Sequence, residues 1–181
     1  MFGGMADMRK YLTQAPNPVS ARAPANLPVI LAVDPGTTES GWCLLYPSGK
    51  VEAGVSENSQ LLYGLPAMPA DLLAVEVFEA RGMPIGNESI ETILYTGRLM
   101  QAWGQALRRV KRSQVKRHLC GSLKAKDANI RQALIDRFGG ERAIGRKATP
   151  GPLYGVKSHA WAALGVAVTA RDLREERGAG E

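Results

Sequence analysis

From Leu27 onward the chain alternates between short, almost unbroken apolar runs and longer segments whose apolar residues recur at helical spacing. Pro28 to Val33 is a nearly continuous apolar run ended by Asp34-Pro35-Gly36, which predicts a buried central strand leaving in a turn. Ser40 to Tyr46 predicts a second strand, Pro47-Ser48-Gly49 a turn, and Lys50 to Val55 a third strand, making an antiparallel meander. After a polar stretch bearing Gly and Pro (Ser56 to Pro69), Leu72 to Phe78 predicts another strand with one carboxylate, Glu76, inside it. The spacing of Ile93, Leu94, Gly97, Met100, Trp103, Gly104 and Leu107 predicts one long helix over Glu88 to Arg109. Val110 to Ser113 reads as a short fifth strand, Ala128 to Phe138 as an amphipathic helix stopped by Gly139-Gly140, and Ser158 to Arg174 as an Ala-rich final helix.

Strands mixed with helices in this order predict an α/β fold. The 181 residues suffice for one domain with a sizeable core and are short for two. Residues 1–26 carry Pro, Ala, Gly and scattered charge without sustained periodicity and read as a flexible leader, so the domain is expected over residues 27–176 with a tail at 177–181.

Charge changes the picture. Lys and Arg outnumber Asp and Glu by 23 to 17, a formal +6, and the sequence pI is near 9.5. The excess is concentrated: Arg98 to Lys147 holds fourteen Lys or Arg against the three acids Asp127, Asp136 and Glu141. A basic half beside an acidic half suggests a polyanion contacted through one region, with phosphates as the leading candidate; a solvated, soluble surface is the structural alternative. Cys43 and Cys120 are too few and too far apart for a zinc site or a disulfide framework. No apolar run approaches membrane-spanning length, and the N-terminus lacks the apolar stretch of a signal peptide. An intracellular protein is expected, in the cytoplasm or nucleoid.

Three residues are candidates for chemistry. Asp34 ends a buried strand and enters a turn, where a carboxylate either caps the turn or is neutralised by a cation. Glu76 lies in a strand whose neighbours all favour burial, and an unpaired carboxylate there would cost several kcal/mol on an order-of-magnitude scale. If the two strands are neighbours, their carboxylates converge and attract a divalent cation; the alternative is an ion pair between Glu76 and an arginine such as Arg81 or Arg98. Glu79, three residues on, is expected on the opposite face of a regular strand. His159 opens the Ala-rich last helix, as a packed core histidine or as a ligand.

Asp34-Pro35-Gly36-Thr37-Thr38-Glu39-Ser40-Gly41 and Glu76, with Val115-Lys116, Gly121 and Ala125-Lys126-Asp127 and with Ala163-Leu164-Gly165-Val166-Ala167, resemble the RuvC-type Holliday junction resolvases, including phage-borne ones. The three motifs occur in the family's order and span about Ile30 to Thr169. The resemblance implies a ribonuclease H-like fold: a five-stranded mixed sheet, its first three strands antiparallel, flanked by helices. It implies an endonuclease acting on four-way or branched DNA with two Mg²⁺ or Mn²⁺ ions, one activating water and the other stabilising the leaving oxygen. By position Asp34, Glu76 and His159 would be the catalytic ligands. A family ligand three residues later is replaced here by Ala162, which leaves three ligands with water, recruitment of Asp127, or a protein that binds junctions without cutting them.

Lys111, Arg112, Lys116, Arg117, Lys124 and Lys126 surround Gly121 and are expected to form a flexible basic loop on DNA phosphates. Met83, Tyr95 and Trp103 read as core or dimer interface, and the wedge that opens the junction stays unassigned. A twofold substrate favours a homodimer, with the long helix and its Gly97 and Gly104 as the expected contact. The Asp34 turn also resembles the phosphate turn of the actin and sugar-kinase superfamily, but that architecture needs two related lobes, and the chain has no internal repeat.

Overall fold

A computed structural model describes residues 27–178 apart from 81 and 83, with side chains described as far as 173 in the last helix. The leader, Arg81, Met83 and residues 179–181 therefore lie outside the described residues.

Strands β1 (Ile30–Asp34), β2 (Glu39–Leu45), β3 (Val51–Glu57), β4 (Leu72–Val77) and β5 (Leu107–Lys111) form one sheet in the order β3-β2-β1-β4-β5. β1 pairs antiparallel with β2, and β2 with β3, whereas β1 to β4 and β4 to β5 are parallel. This is the expected five-stranded mixed sheet. Helices α1 (Asn58–Gly64) and α2 (Asn87–Trp103) are separated in sequence by β4; α3 (Arg112–Cys120), α4 (Asp127–Arg137) and α5 (Ala160–Gly178) follow β5, with a two-stranded hairpin β6 (Gly145–Arg146) and β7 (Thr149–Pro150) before α5.

The central strands are apolar throughout because both faces of the sheet are covered. Period-two alternation divides their side chains between two cores. Ile30, Ala32, Cys43, Leu45, Leu72 and Ala74 pack with the buried residues of α3, α4 and α5. Leu31, Val33, Trp42, Leu44, Leu73 and Val75 pack on the other face with Leu61, Leu65, Tyr95, Leu99 and Trp103. Tyr95 and Trp103 are thus core residues, as expected. The Ala-rich stretch of α5 lets that helix lie close on β1 and β2: Ala163, Leu164, Val166, Ala167, Val168 and Ala170 are fully buried.

Several expected boundaries move. The long helix ends at Trp103 because Gly104 takes a left-handed conformation (φ 62°) and the chain from Leu107 pairs beside β4. The apolar spacing of Trp103, Gly104 and Leu107 imitates a helical face across that break. Gly104 is therefore a cap and not a helix contact, and the fifth strand lies at Leu107–Lys111, earlier than expected. The basic segment is not a flexible loop: Arg112–Cys120 is helix α3, closed by left-handed Gly121, whose N–H bonds to Arg117 O. Only residues 121–126 connect it to α4. α1 lies where a polar connection was expected, and the last helix, expected over Ser158 to Arg174, spans Ala160–Gly178.

A polar cluster around the buried Asp172 ties α3 to the two other helices of its layer. Asp172 on α5 lies 2.7 Å from His118 Nε2 on α3 and 2.7 Å from Arg137 Nη2 on α4. Gly165 lets α3 approach α5: a Cβ added there would stand 3.2 Å from Val115 Cγ1.

Candidate active site

The alternation that builds the core also aims the acids. Ile30 and Ala32 face the α5 side, so Asp34, two residues on, emerges on that side at the strand's end. Leu72 and Ala74 face the same side, so Glu76 does too. β1 and β4 are parallel neighbours with Val33 opposite Val75, which sets Asp34 and Glu76 side by side one step later. The last helix begins at this end of the sheet, and the residue before it, His159, brings Nδ1 to 3.4 Å from Asp34 Oδ2.

Gly41, the partner of Asp34 across the β1–β2 pair, makes this approach possible. A Cβ on Gly41 would stand 2.2 Å from the His159 carbonyl oxygen. Ser158, just before, takes φ 46°, a conformation uncommon for a residue with a side chain. The turn after Asp34 is pinned by a small polar network. The Gly36 N–H donates to Ser40 Oγ at 3.3 Å, the Ser40 hydroxyl donates to Asn58 Oδ1 at 2.7 Å, and Asn58 Nδ2 donates to the Gly36 carbonyl at 3.0 Å. The Tyr95 hydroxyl donates to the Asn58 carbonyl at 3.1 Å, fastening the turn to α2.

Glu76 has an arginine partner among the described residues, and it is not Arg98; Arg81 lies outside those residues. Arg98 is exposed on α2, whereas Arg112, the first residue of α3, places Nη1 3.2 Å from Glu76 Oε2. Its Nη2 donates to Asp127 Oδ1 at the start of α4. β5 accounts for the reach: Val110 lies beside Glu76 in the parallel pair, and Arg112 follows two residues later. Asp127 thus enters the site at its rim, with 82% of its side chain exposed, against 18% for Asp34 and 16% for Glu76.

Burial dominates the electrostatics. It pushes the Asp34 carboxyl up from its ordinary value, against the opposing pull of Arg112 and His159. It also pushes Glu76 up to about 7, reinforced by the charge of Asp34 and only partly offset by Arg112. Two carboxylates that stay hard to ionise beside an arginine carry an unmet demand for positive charge.

Two adjoining depressions open here. One, of about 320 Å³, includes Asp34, Glu76, Glu79, Arg112 and Lys116. The other, of about 370 Å³, includes Asp34, Arg112, Asp127, His159 and Ala162. Asp34 and Arg112 belong to both. Glu79 therefore shares a wall with Glu76 and does not face away: β4 ends at Val77, so strand alternation no longer governs it, and Ser113 Oγ donates to its Oε1 at 2.9 Å. The methyl group of Ala162 stands where the expected fourth ligand would face the site.

The carboxylate and imidazole donors of Asp34, Glu76 and His159 suit a hard divalent cation such as Mg²⁺ or Mn²⁺. Among the described residues no group of three or more His, Cys, Asp or Glu side chains is already drawn together to hold a metal ion. The fit is an open one, built on the Asp34 and Glu76 pair, with Arg112 occupying part of the charge-demanding space.

Of the other basic candidates, Lys116 is half-buried against the carboxylates, while Arg117, Lys124 and Lys126 are exposed. Lys111 is exposed, 3.9 Å from Glu79 Oε1. Sequence reasoning missed Asn58 and the bridging role of Arg112. The first carried no signal of its own, since Asn58 falls in a stretch read as a polar connection; for the second there was the proximity of Arg112 to a fifth strand, had its register been known.

The fold and the carboxylate-bearing strand ends define a ribonuclease H-like α/β domain. Its likenesses among solved structures are to RuvC of Thermus thermophilus, with a TM-score of 0.56 and 20% identity over 82% of this chain and 96% of that one. The same bacterium's RuvC in complex with a Holliday junction substrate matches with a TM-score of 0.58 and 22% identity, again over 82% and 96%. No protein-family model and no curated protein matches the chain.

Proposed function

We propose that this protein is a structure-selective DNA endonuclease that resolves Holliday junctions or other branched DNA by metal-assisted phosphodiester hydrolysis. The observation that carries the reading is the convergence of Asp34 and Glu76 on one face at adjacent strand ends, beside His159 and under a basic helix. Its support from likeness is a fold shared with RuvC, whose complex holds a Holliday junction substrate.

Two Mg²⁺ or Mn²⁺ ions held by Asp34, Glu76 and His159, with Asp127 as the additional acid, would supply an activated water and charge neutralisation at the leaving oxygen. The chain's own residues prepare the place. Asp34 is held by the Gly36, Ser40 and Asn58 turn and supplies the central carboxylate. Glu76 supplies the second, and the half-exposed His159 flanks Asp34. Lys116 lies where a backbone phosphate would meet the carboxylates, and Arg117, Lys124 and Lys126 extend the positive surface along neighbouring phosphates.

The protein works as a homodimer in this reading. Ile90, Ile93 and Leu94 on α2 are 44%, 40% and 59% exposed and form one helical stripe with Gly97, an apolar surface suited to a second copy. Among the described residues no helix is long and apolar enough to cross a membrane. A phage origin would accord with the sequence resemblance.

A second reading, a junction-binding protein of the same fold without catalysis, is favoured by one observation: Ala162 lines the site where a ligand is expected. The deciding experiment is cleavage of a labelled four-way junction against linear duplex, with Mg²⁺, Mn²⁺ or EDTA. Paired nicks that need metal and disappear in Asp34→Asn establish the nuclease; tight, salt-sensitive junction binding without nicks establishes the binder.

A further inference from the structure

The site holds an internal cation. Arg112 spans the two depressions, with one guanidinium nitrogen on Glu76 and the other on Asp127. Only 22% of its side chain is exposed, unlike Arg117, Lys124 and Lys126 of the same basic region. It is held by more than its charge. Gln114 Oε1 accepts the Lys111 N–H at 2.8 Å and fixes the start of α3 one residue before Arg112, while the His118 to Asp172 contact anchors the other end of that helix. The guanidinium therefore leaves a fixed base and ends among the carboxylates that the proposed reaction would need for a metal ion.

We propose that Arg112 is a gatekeeping cation: it neutralises Glu76 and Asp127 when no divalent ion is bound, and an entering ion must displace its guanidinium. The inference rests on the metal-nuclease reading above. The physical reason is competition for the same electrons. A carboxylate oxygen bonded to a guanidinium at hydrogen-bond distance offers less to a metal, and a positive charge a few ångströms away repels a divalent ion directly. A displaced guanidinium on this side chain would have the DNA phosphate as its nearest new partner, because planar guanidinium pairs with phosphate as well as with carboxylate. Metal affinity would then be low without DNA and rise with it, which restrains hydrolysis until a substrate is seated. The arrangement assigns Arg112 a positioning role distinct from that of the exposed lysines around Gly121.

The test is Mn²⁺ binding to the whole protein without DNA, followed by electron paramagnetic resonance of the free ion, for wild type, Arg112→Gln, Arg112→Lys and Asp34→Asn. Arg112→Gln is expected to bind Mn²⁺ roughly tenfold more tightly, the scale of one nearby charge removed. It should also melt lower than wild type without metal and recover the difference when Mn²⁺ is added. Arg112→Lys keeps the charge but lacks the planar fork that holds Glu76 and Asp127 from two nitrogens, so its affinity should fall between the two; it carries the test if the Gln variant does not fold. Equal or weaker Mn²⁺ binding by the Arg112 variants, alongside wild-type binding that Asp34→Asn abolishes, overturns the gatekeeper and leaves the metal site standing. No Mn²⁺ binding by any form, Arg112→Gln included, overturns the gatekeeper, while metal-dependent junction cleavage decides the nuclease reading separately.

Discussion

His159 Nδ1 stands 3.4 Å from Asp34 Oδ2 across a strand that carries no side chain at Gly41, the residue paired with Asp34. The closeness of the last helix to the sheet at this end rests on that missing Cβ, which would meet the His159 carbonyl oxygen at 2.2 Å. The position of the imidazole is therefore set by a residue in another element, 118 positions earlier in the chain.

Gly41→Ala should push the His159 backbone away from β2. Overpacking of this kind costs about 1–3 kcal/mol, so a lower melting temperature is expected, with junction cleavage reduced more than junction binding. A variant that melts and cleaves like wild type would show that the contact is slack.

Asp34→Asn removes a charge whose burial folding opposes, without changing shape. Cleavage should drop by roughly a thousandfold or more, the scale of losing a central catalytic group, while metal-free stability rises or holds and junction affinity stays within a few-fold. Thermal melts in EDTA, gel shifts and nicking assays on the same preparation separate these effects.

Glu76 makes the metal-free protein sensitive to pH. Its folded carboxyl is raised to about 7 from an ordinary 4.5, so the folded state keeps a proton that the unfolded state gives up. Below the lower value both states are protonated; as pH rises from there to about 7, stability falls, by on the order of 3 kcal/mol at full effect. Glu76→Gln lacks this loss. Its melting temperature in EDTA should exceed that of wild type at pH 8, and the gap should close towards pH 4.5. A constant gap across that range would contradict the assignment.

The exposed basic residues should act through salt. Arg117→Ala, Lys124→Ala and Lys126→Ala are each expected to weaken junction binding and to lower the slope of log affinity against log salt by about 1. Lys50→Ala is the control, since Lys50 sits at the β2–β3 turn, at the other end of the sheet, and pairs with Glu52 at 2.9 Å. Slopes that do not distinguish these positions would place the DNA elsewhere.

How much was legible beforehand differs from element to element. The apolar runs at Ile30, Leu44 and Leu73 announce strands because their residues fit only a two-sided core, and Asp34 and Glu76 stand out because a carboxylate in such a strand is costly. The break at Gly104 was not legible, because a glycine inside apolar helical spacing is equally compatible with a helix that continues. Helix α3 was hidden by its own composition: Lys, Arg, His and Ser dominate it, and Val115 is its single fully buried anchor. Asn58 gave no signal because its partners, Gly36 and Ser40, belong to a different turn.

What the sequence determined alone is local: which stretches must be buried, where they turn, that two acids sit at costly positions, and that one region is basic. Each follows from a residue's own solvation and from the periods of strand and helix. Only the tertiary structure decided which groups meet. Strand order and register put Glu76 beside Asp34 and beside Val110, and so delivered Arg112 to Glu76 and Asp127. Such pairings depend on side-chain packing between segments far apart in the chain, and no local pattern carries that information.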